Sequence, residues 1–273
     1  MSELLRERFA AGKAEGRPLF IGYLTAGYPT RADTVDALLG MEAGGADVLE
    51  LGVPFSDPMA DGATVQGANQ VALEQGISLA DCVQLVREAR AAGLAAPVVL
   101  MGYYNPILSY GEARLARDAA AAGVDGFIVV DLPPEEATNF VANCRSHGLS
   151  FVPLVAPTTR DERIGILAGV ADSFLYCVSV TGTTGKGNVV LDDLPEFIRR
   201  IRAQTTLPLA VGFGISTRAN VEAVGKLADA AVVGSAIISA IASAAPERRA
   251  ERVREFVEDV SGHKRAGGPG SAS

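Results

Sequence analysis

The sequence has no tryptophan, only 2 histidines and only 3 cysteines in 273 residues. Because Cys82, Cys144 and Cys177 are odd in number and lack paired spacing, they indicate neither a disulfide framework nor a metal site. Positive charge is also scarce, with 24 Lys and Arg against 32 Asp and Glu. A formal charge of -8 argues against nucleic-acid binding, which needs concentrated Lys and Arg, but allows a single phosphate on a small metabolite.

Long apolar runs are missing as well. No stretch approaches the roughly 18 apolar residues of a membrane span. Segment 1–15 carries charges throughout and lacks the apolar centre of a signal peptide. The sequence therefore predicts a protein of the cytoplasm, without a membrane association, and its 48% of hydrophobic residues can form a large core.

Short apolar runs rich in Val, Ile, Leu and Phe alternate with Ala-rich amphipathic stretches along the chain, which is typical of repeated β-α units. Few polar residues interrupt the apolar runs, as expected for parallel strands that are covered on both faces. The eight predicted strands span residues 19–24, 46–51, 98–101, 126–130, 151–155, 173–178, 207–211 and 230–233.

Helices are predicted between the strands and before the first of them. They span residues 2–14, 31–43, 79–92, 112–122, 134–146, 160–168, 194–204, 218–225 and 247–260. Eight β-α alternations favour a single-domain α/β fold, a (β/α)8 TIM barrel with an extra N-terminal helix, over residues 1–261. An open doubly wound sheet is the alternative. Residues 262–273 read GHKRAGGPGSAS and predict a disordered tail.

Carboxylates follow the second predicted strand, where a barrel of this kind carries its active site. Glu50 ends an apolar run, and burial there would raise its pKa and suit it to proton transfer. Asp61 follows in a loop punctuated by Pro and Gly. The alternative is that these acids are strand or helix caps, and for Asp57, in Ser-Asp-Pro, that interpretation is favoured.

Glycine-rich segments come after the last two predicted strands. Gly212 to Gly214 and Gly234-Ser235 stand where barrels commonly bind phosphate through backbone N–H groups. Each segment alone could be an ordinary turn, but together they favour phosphate binding. Tyr103, Tyr104 and Tyr176 at strand ends could line a site for a flat substrate or pack in the core.

Several motifs together resemble one family, the α subunit of tryptophan synthase, over residues 5–260. The most specific is LELGVPFSDPMADG at 49–62. The others are GYP at 27–29, MGYYNP at 101–106, VDLPP at 130–134, the loop with Thr184-Gly185, GFGIS at 212–216 and VGSA at 233–236. The resemblance implies a carbon–carbon lyase that cleaves indole-3-glycerol phosphate to indole and glyceraldehyde 3-phosphate by a retro-aldol reaction.

The resemblance also implies residue roles. Glu50 corresponds to the general acid and base, Asp61 to the carboxylate that accepts the indole N–H, and Tyr176 to a tyrosine that positions the acid. Thr184 corresponds to the threonine that packs over Asp61 when its loop closes. The phosphate-binding positions are Gly185, Phe213, Gly214, Gly234 and Ser235, and the indole pocket would be lined by Tyr23, Met101, Tyr103, Ile128 and Leu154.

A partner is implied too. The family pairs with a β subunit in an α2β2 heterotetramer; the β subunit carries pyridoxal phosphate, and the α chain itself has no cofactor and no metal. Asp57 is the expected interface contact. The loop at 182–187, Gly-Thr-Thr-Gly-Lys-Gly, and Ala63 depart from the family's pattern in the two loops that should close the site. A stand-alone lyase and a noncatalytic phosphate-ligand-binding barrel are the alternatives, and the presence of both Glu50 and Asp61 disfavours the latter.

Overall fold

The computed structural model of the chain describes residues 1–178, 193–212 and 214–262. In these ranges the chain forms nine strands, close to the predicted positions. They are β1 (Leu19–Thr25), β2 (Val48–Gly52), β3 (Val98–Gly102), β4 (Gly126–Val129), β5 (Ser150–Val152), β6 (Leu154–Val155), β7 (Leu175–Val178), β8 (Leu209–Gly212) and β9 (Ala230–Val233).

Twelve helices accompany the strands in the described part of the chain. They are α1 (Glu3–Glu15), α2 (Arg31–Ala43), α3 (Ala63–Glu74), α4 (Leu79–Ala91), α5 (Tyr104–Tyr110), α6 (Glu112–Ala122), α7 (Thr138–Ser146), α8 (Asp161–Val170), α9 (Leu194–Arg202), α10 (Arg218–Gly225), α11 (Ser235–Ala242) and α12 (Arg249–Ser261). Among them, none combines the length and the apolar character that a membrane crossing requires.

The strands form one parallel sheet in the order β5-β4-β3-β2-β1-β9-β8-β7-β6. β5 and β6 are the two halves of the predicted strand 151–155, which is interrupted at Pro153, a residue without an N–H group. Because β5 pairs with β4 and β6 pairs with β7, this single stretch joins both edges of the sheet. The predicted eight-stranded barrel is confirmed.

Two apolar clusters hold the barrel together. The larger lies between the sheet and the surrounding helices. The smaller fills the barrel interior, and there Leu5 and Phe9 of the extra helix α1 pack with Phe174. The rings of Phe9 and Phe174 lie 5.0 Å apart. Helix α1 thus closes the amino-terminal end of the barrel and leaves the opposite end open for a site.

Three helices were not predicted from the sequence: α3, α5 and α11, of which α5 and α11 begin two residues after a strand ends. Helix α3 contains Gly67, a weak helix former, and α5 contains Pro106 in its first turn. Helix α11 reads SAIISAIA and has only eight residues, which are too few to show a repeating amphipathic pattern. The predicted tail begins at Gly262, which ends α12 with a left-handed φ of 72°, and its remaining residues lie outside the described ranges.

Candidate active site

A cavity of about 620 Å³ opens at the carboxyl ends of the strands. Its described lining combines two carboxylates, two tyrosines and several small residues on loops that follow strands. The lining residues are Tyr23, Glu50, Asp61, Gly62, Val65, Met101, Tyr176, Gly214, Ile215, Ser216, Val232, Gly234, Ser235, Ala236, Ser239, Ala240, Ser243, Arg252 and Phe256.

Glu50 lies in the middle of β2 and is fully buried. Neither of its carboxyl oxygens has a hydrogen-bond partner among the described residues. Burial and, secondarily, the charge of Asp61 raise the pKa of Glu50 to about 8. The group is therefore mostly protonated at neutral pH and can donate its proton, as a general acid must.

Asp61 lies just before α3 and is half-buried. Burial raises its pKa to about 6, although hydrogen bonding by Asn69 and by the Tyr103 hydroxyl lowers it. The side-chain amide of Asn69, on α3, donates to Asp61 Oδ2 at 3.2 Å. At pH 7 Asp61 is therefore mostly ionised while Glu50 is mostly protonated, so the two carboxyls can take different roles.

Two buried tyrosines flank the carboxylates. Tyr23 on β1 is the direct register neighbour of Glu50, and its hydroxyl lies 3.2 Å from Thr25 Oγ1. A Cβ atom at Gly52 would lie 2.2 Å from the Tyr23 hydroxyl, and one at Gly212 would lie 2.3 Å from the Tyr176 hydroxyl. Both glycines are thus required because the tyrosine hydroxyls rest on their backbones.

Another part of the cavity lining is the amino-terminal end of a helix. Helix α11 begins at Ser235 with Gly234 as its N-cap, and N–H groups of a first helical turn lack intrahelical acceptors. A Cβ at Gly234 would lie 3.2 Å from the Tyr23 ring, so a larger residue there would crowd the site. Gly214, with a φ of 70°, adopts a conformation that favours glycine.

The structure brings eight of the fifteen residues predicted for the site to the cavity lining. They are Tyr23, Glu50, Asp61, Met101, Tyr176, Gly214, Gly234 and Ser235. Three others, Thr184, Gly185 and Phe213, lie outside the described residues.

Tyr103, Ile128, Leu154 and Asp57 are not among the described lining residues, although Tyr103 contacts Asp61 through its hydroxyl. The Tyr103 hydroxyl accepts from the Ala60 N–H at 3.1 Å, and its ring stacks on Phe55 at 4.8 Å, so it holds the loop that carries Asp61. Ile128 belongs to the cluster in the barrel interior, and half-buried Leu154 packs against that cluster. Asp57 is exposed and accepts from the Ser56 hydroxyl at 2.7 Å.

Sequence reasoning missed Asn69, although it is 2% exposed and touches a predicted catalytic group. The missing signal was helix α3 itself, because a helix over Ala63–Glu74 places residue 69 on its buried side. It also missed the residues of α11 and α12 that extend the cavity, among them Arg252 and Phe256.

The closed barrel and its paired carboxylates define the class of protein before any comparison. A (β/α)8 barrel that carries two carboxyls of separated pKa at the carboxyl ends of its strands has the features of an enzyme of acid–base chemistry.

Comparison with known proteins identifies the family. A sequence profile described as tryptophan synthase alpha chain matches residues 9–266. The tryptophan synthase alpha chain of Roseiflexus sp. (strain RS-1) is 50% identical over 94% of this chain and 99% of its own length. Tryptophan synthase of Saccharomyces cerevisiae is also 50% identical, but the match spans only 37% of that longer protein.

Solved structures agree. The tryptophan synthase subunit alpha of Legionella pneumophila superposes with a TM-score of 0.87 at 36% identity, covering 96% of this chain and 98% of the other. A chain of Mycobacterium tuberculosis tryptophan synthase gives 0.88 at 34% identity, with coverage of 98% and 100%. The chain belongs to the tryptophan synthase alpha chain family and is a lyase of tryptophan biosynthesis.

Proposed function

We propose that the chain cleaves indole-3-glycerol phosphate to indole and glyceraldehyde 3-phosphate, with Glu50 and Asp61 as its catalytic carboxylates. The observation that carries this proposal is the fully buried, unpartnered carboxyl of Glu50, with a pKa of about 8, in a cavity that it shares with Asp61. The family relationship supports the same reaction.

Cleavage begins with a proton from Glu50 to the ring carbon that bears the side chain. The ring becomes cationic, and ionised Asp61 accepts the indole N–H and stabilises that charge. The side-chain hydroxyl then loses its proton to Glu50, its oxygen forms the aldehyde, and the electrons of the carbon–carbon bond return to the ring. Glu50 thereby regains the proton that it gave, and the products are indole and the aldehyde.

The remaining residues bind and orient the substrate. Tyr176 positions the acid, because its ring packs in the barrel interior and its hydroxyl rests on Gly212. Gly214, Gly234 and Ser235 hold the phosphate together with Gly185 and Phe213. Tyr23, Met101, Tyr103, Ile128 and Leu154 form or support the indole pocket. Thr184, which lies outside the described residues, is the proposed counterpart of the family's loop threonine.

Indole then passes to a β subunit, with which the chain forms an α2β2 assembly. Pyridoxal phosphate belongs to that partner, and the reaction of this chain uses side chains alone. Asp57 is the proposed interface contact. In support, Met59 on the same loop is 84% exposed and Leu108 on α5 is 58% exposed, so a partner chain can cover both side chains. We propose that the complex works in the cytoplasm, consistent with the buried free thiols of Cys82, Cys144 and Cys177.

The test is the substitution Glu50→Gln. It removes the transferable proton and keeps the shape of the side chain, so turnover of indole-3-glycerol phosphate should fall by about 10³-fold or more. The substitution leaves the proposed phosphate-binding residues Gly214, Gly234 and Ser235 unchanged. The affinity for glycerol 3-phosphate should therefore stay within about twofold of that of the parent protein. Turnover is followed by indole fluorescence, which is convenient because the protein contains no Trp.

The control is Asp57→Asn, which removes a carboxylate from the exposed part of the same loop. Isolated Asp57→Asn protein should turn over like the parent. Near-normal turnover by Glu50→Gln protein would refute the assignment of Glu50 as the acid.

A further inference from the structure

The cavity continues past the proposed phosphate-binding residues Gly214, Gly234 and Ser235 along helix α11. Four residues of this helix and its C-cap line the cavity, all on one face: Ser235, Ala236, Ser239, Ala240 and Ser243. At a rise of 1.5 Å per residue, Ser243 lies about 12 Å farther along the helix axis than Ser235. We call the part of the cavity along this face of α11 the outer arm. It ends against Arg252 and Phe256, which are one turn apart on α12.

Arg252 is the single cationic side chain in the described lining, whereas Glu50 and Asp61 are acidic. The whole protein carries a formal charge of -8. A doubly charged phosphate ester is therefore repelled by the net negative charge of the protein. A positive side chain at the outer arm counteracts this repulsion where the ligand enters the cavity.

The guanidinium of Arg252 is only weakly engaged within the protein. Its Nη1 lies 4.0 Å from Glu255 Oε2, and that carboxylate also faces Arg248 at 3.6 Å. By contrast, Arg254 on the same helix pairs with Glu258 at 2.8 Å. The side chain of Arg252 is 46% exposed, so its charge reaches the solvent that fills the arm.

Helix α12 holds this charge in a fixed place. A Cβ atom on Gly40 of α2 would lie 2.6 Å from the Ala250 carbonyl oxygen, so the two helices meet backbone to backbone. Arg249 Nη1 donates to Asp33 Oδ2 at 2.7 Å between the same helices. The position of Arg252 beside the arm is therefore set by the packing of α12.

We propose that Arg252 and the exposed face of α11 form an outer reception site, which attracts the phosphate group of the substrate before it reaches the inner corner at Ser235. Arg252 would be a specificity-determining residue that favours dianionic over neutral ligands and touches no reacting atom. This inference rests on the proposed function for the identity of the substrate.

The test compares Arg252→Gln and Arg252→Glu at ionic strengths of about 0.01 M and 1 M, where the screening lengths are about 30 Å and 3 Å. If the separation is taken as the length of the α11 face, about 12 Å, a unit charge attracts a dianion in water by the equivalent of about threefold in affinity. At low ionic strength, kcat/KM should therefore fall about threefold for Arg252→Gln and about tenfold for Arg252→Glu. The loss should lie in KM, with kcat unchanged, and should vanish at 1 M.

The matched controls are Arg87→Gln and Arg87→Glu. Arg87 is exposed on α4, outside the described lining of the cavity, and its guanidinium donates to Gln84 Oε1 at 2.8 Å. These variants change the net charge equally and should leave kcat/KM within about 1.5-fold of the parent. Equal losses in the two series, a loss that persists at 1 M, or a loss in kcat would each overturn the reception site.

Calorimetric titration with glycerol 3-phosphate separates this inference from the proposed function, because it needs no turnover. The Arg252 variants should bind it more weakly than the Arg87 variants at low ionic strength and equally at 1 M. A parent protein that shows this pattern but does not cleave indole-3-glycerol phosphate would refute the proposed reaction and retain the reception site. Equal affinities at both ionic strengths would refute the reception site.

Discussion

The two ends of the barrel use acidic residues in opposite ways. At the amino-terminal end, four aspartates stand one to three residues before strands, and each pairs with an arginine and accepts an N–H from a neighbouring strand. The pairs are Asp47 with Arg17, Asp125 with Arg90, Asp172 with Arg145, and Asp229 with Arg202. At the carboxyl-terminal end, Glu50 and Asp61 have no ion pair among the described residues.

Asp47 illustrates the first arrangement. Its two carboxylate oxygens accept from Arg17 Nη1 and Nη2 at 2.7 and 2.8 Å, and Oδ2 also accepts from the Phe20 N–H at 2.9 Å. The carboxylate is buried, but three N–H donors compensate its charge. These hydrogen bonds link β1 to the turn before β2. The same network raises the pKa of Arg17 above its usual value.

Glu50 illustrates the second arrangement, only three residues further along the chain. Its carboxyl has no donor, so burial favours its neutral form and raises its pKa. An acid in this state is available for proton transfer, and keeping it neutral costs folding free energy at pH values where the unfolded chain ionises it. The difference between the two ends is therefore a difference in partners, and it separates stabilising acids from reactive ones.

The largest expected effect concerns the amino-terminal end. Asp47→Asn leaves the guanidinium of Arg17 without its bidentate partner, and the free energy of unfolding should fall by about 3 kcal/mol. For a chain of this size that corresponds to a decrease in Tm of about 6 to 12 °C. Thermal unfolding followed by circular dichroism measures the change, while kcat should stay within about twofold.

The control for this stability change is Glu3→Gln. Glu3 pairs with Arg6 at 3.2 Å, but the two side chains are 74% and 58% exposed. The free energy of unfolding should change by less than about 0.5 kcal/mol. A large loss of activity in folded Asp47→Asn protein would contradict the separation of the two ends.

How far the sequence predicts this arrangement depends on how local each signal is. The strands were predictable because apolar runs alternate with amphipathic stretches, and even the interruption at Pro153 fell inside a predicted strand. Helix α11 was not, because its eight residues are too few to show a repeating amphipathic pattern and its position depends on the packing of the barrel. The position of α1 at the amino-terminal end of the barrel was likewise not predictable, because it depends on a contact with Phe174, which is distant in sequence.

The site shows the same limit. Glu50 was predictable because a charged residue inside an apolar strand has no local partner. The difference between Asp47 and Glu50 was not, because Arg17 lies 30 positions from Asp47 and meets it only in the folded barrel. Asn69 was hidden for a similar reason, since its contact with Asp61 depends on helix α3.

The next effect concerns Asp61 and the pH profile. Because cleavage needs ionised Asp61 and protonated Glu50, kcat/KM should be greatest near pH 7 and fall on the acidic side of about 6 and the alkaline side of about 8. Asp61→Asn should lower kcat about 100-fold and remove the acidic limb while the alkaline limb stays. If kcat/KM of the variant still falls below about pH 6, the acidic limb belongs to a group other than Asp61.

The smallest effect concerns the stability cost of Glu50. The folded protein holds the Glu50 proton up to about pH 8, whereas the unfolded chain releases it near pH 4.5, so raising the pH between these values favours unfolding. Glu50→Gln abolishes that dependence. The free energy of unfolding of the variant, relative to that of the parent protein, should therefore rise by about 2 kcal/mol from pH 6 to pH 8. Denaturant unfolding of both proteins at the two pH values measures it. An unchanged difference would mean that Glu50 is ionised and partnered in the folded state, like the aspartates at the other end.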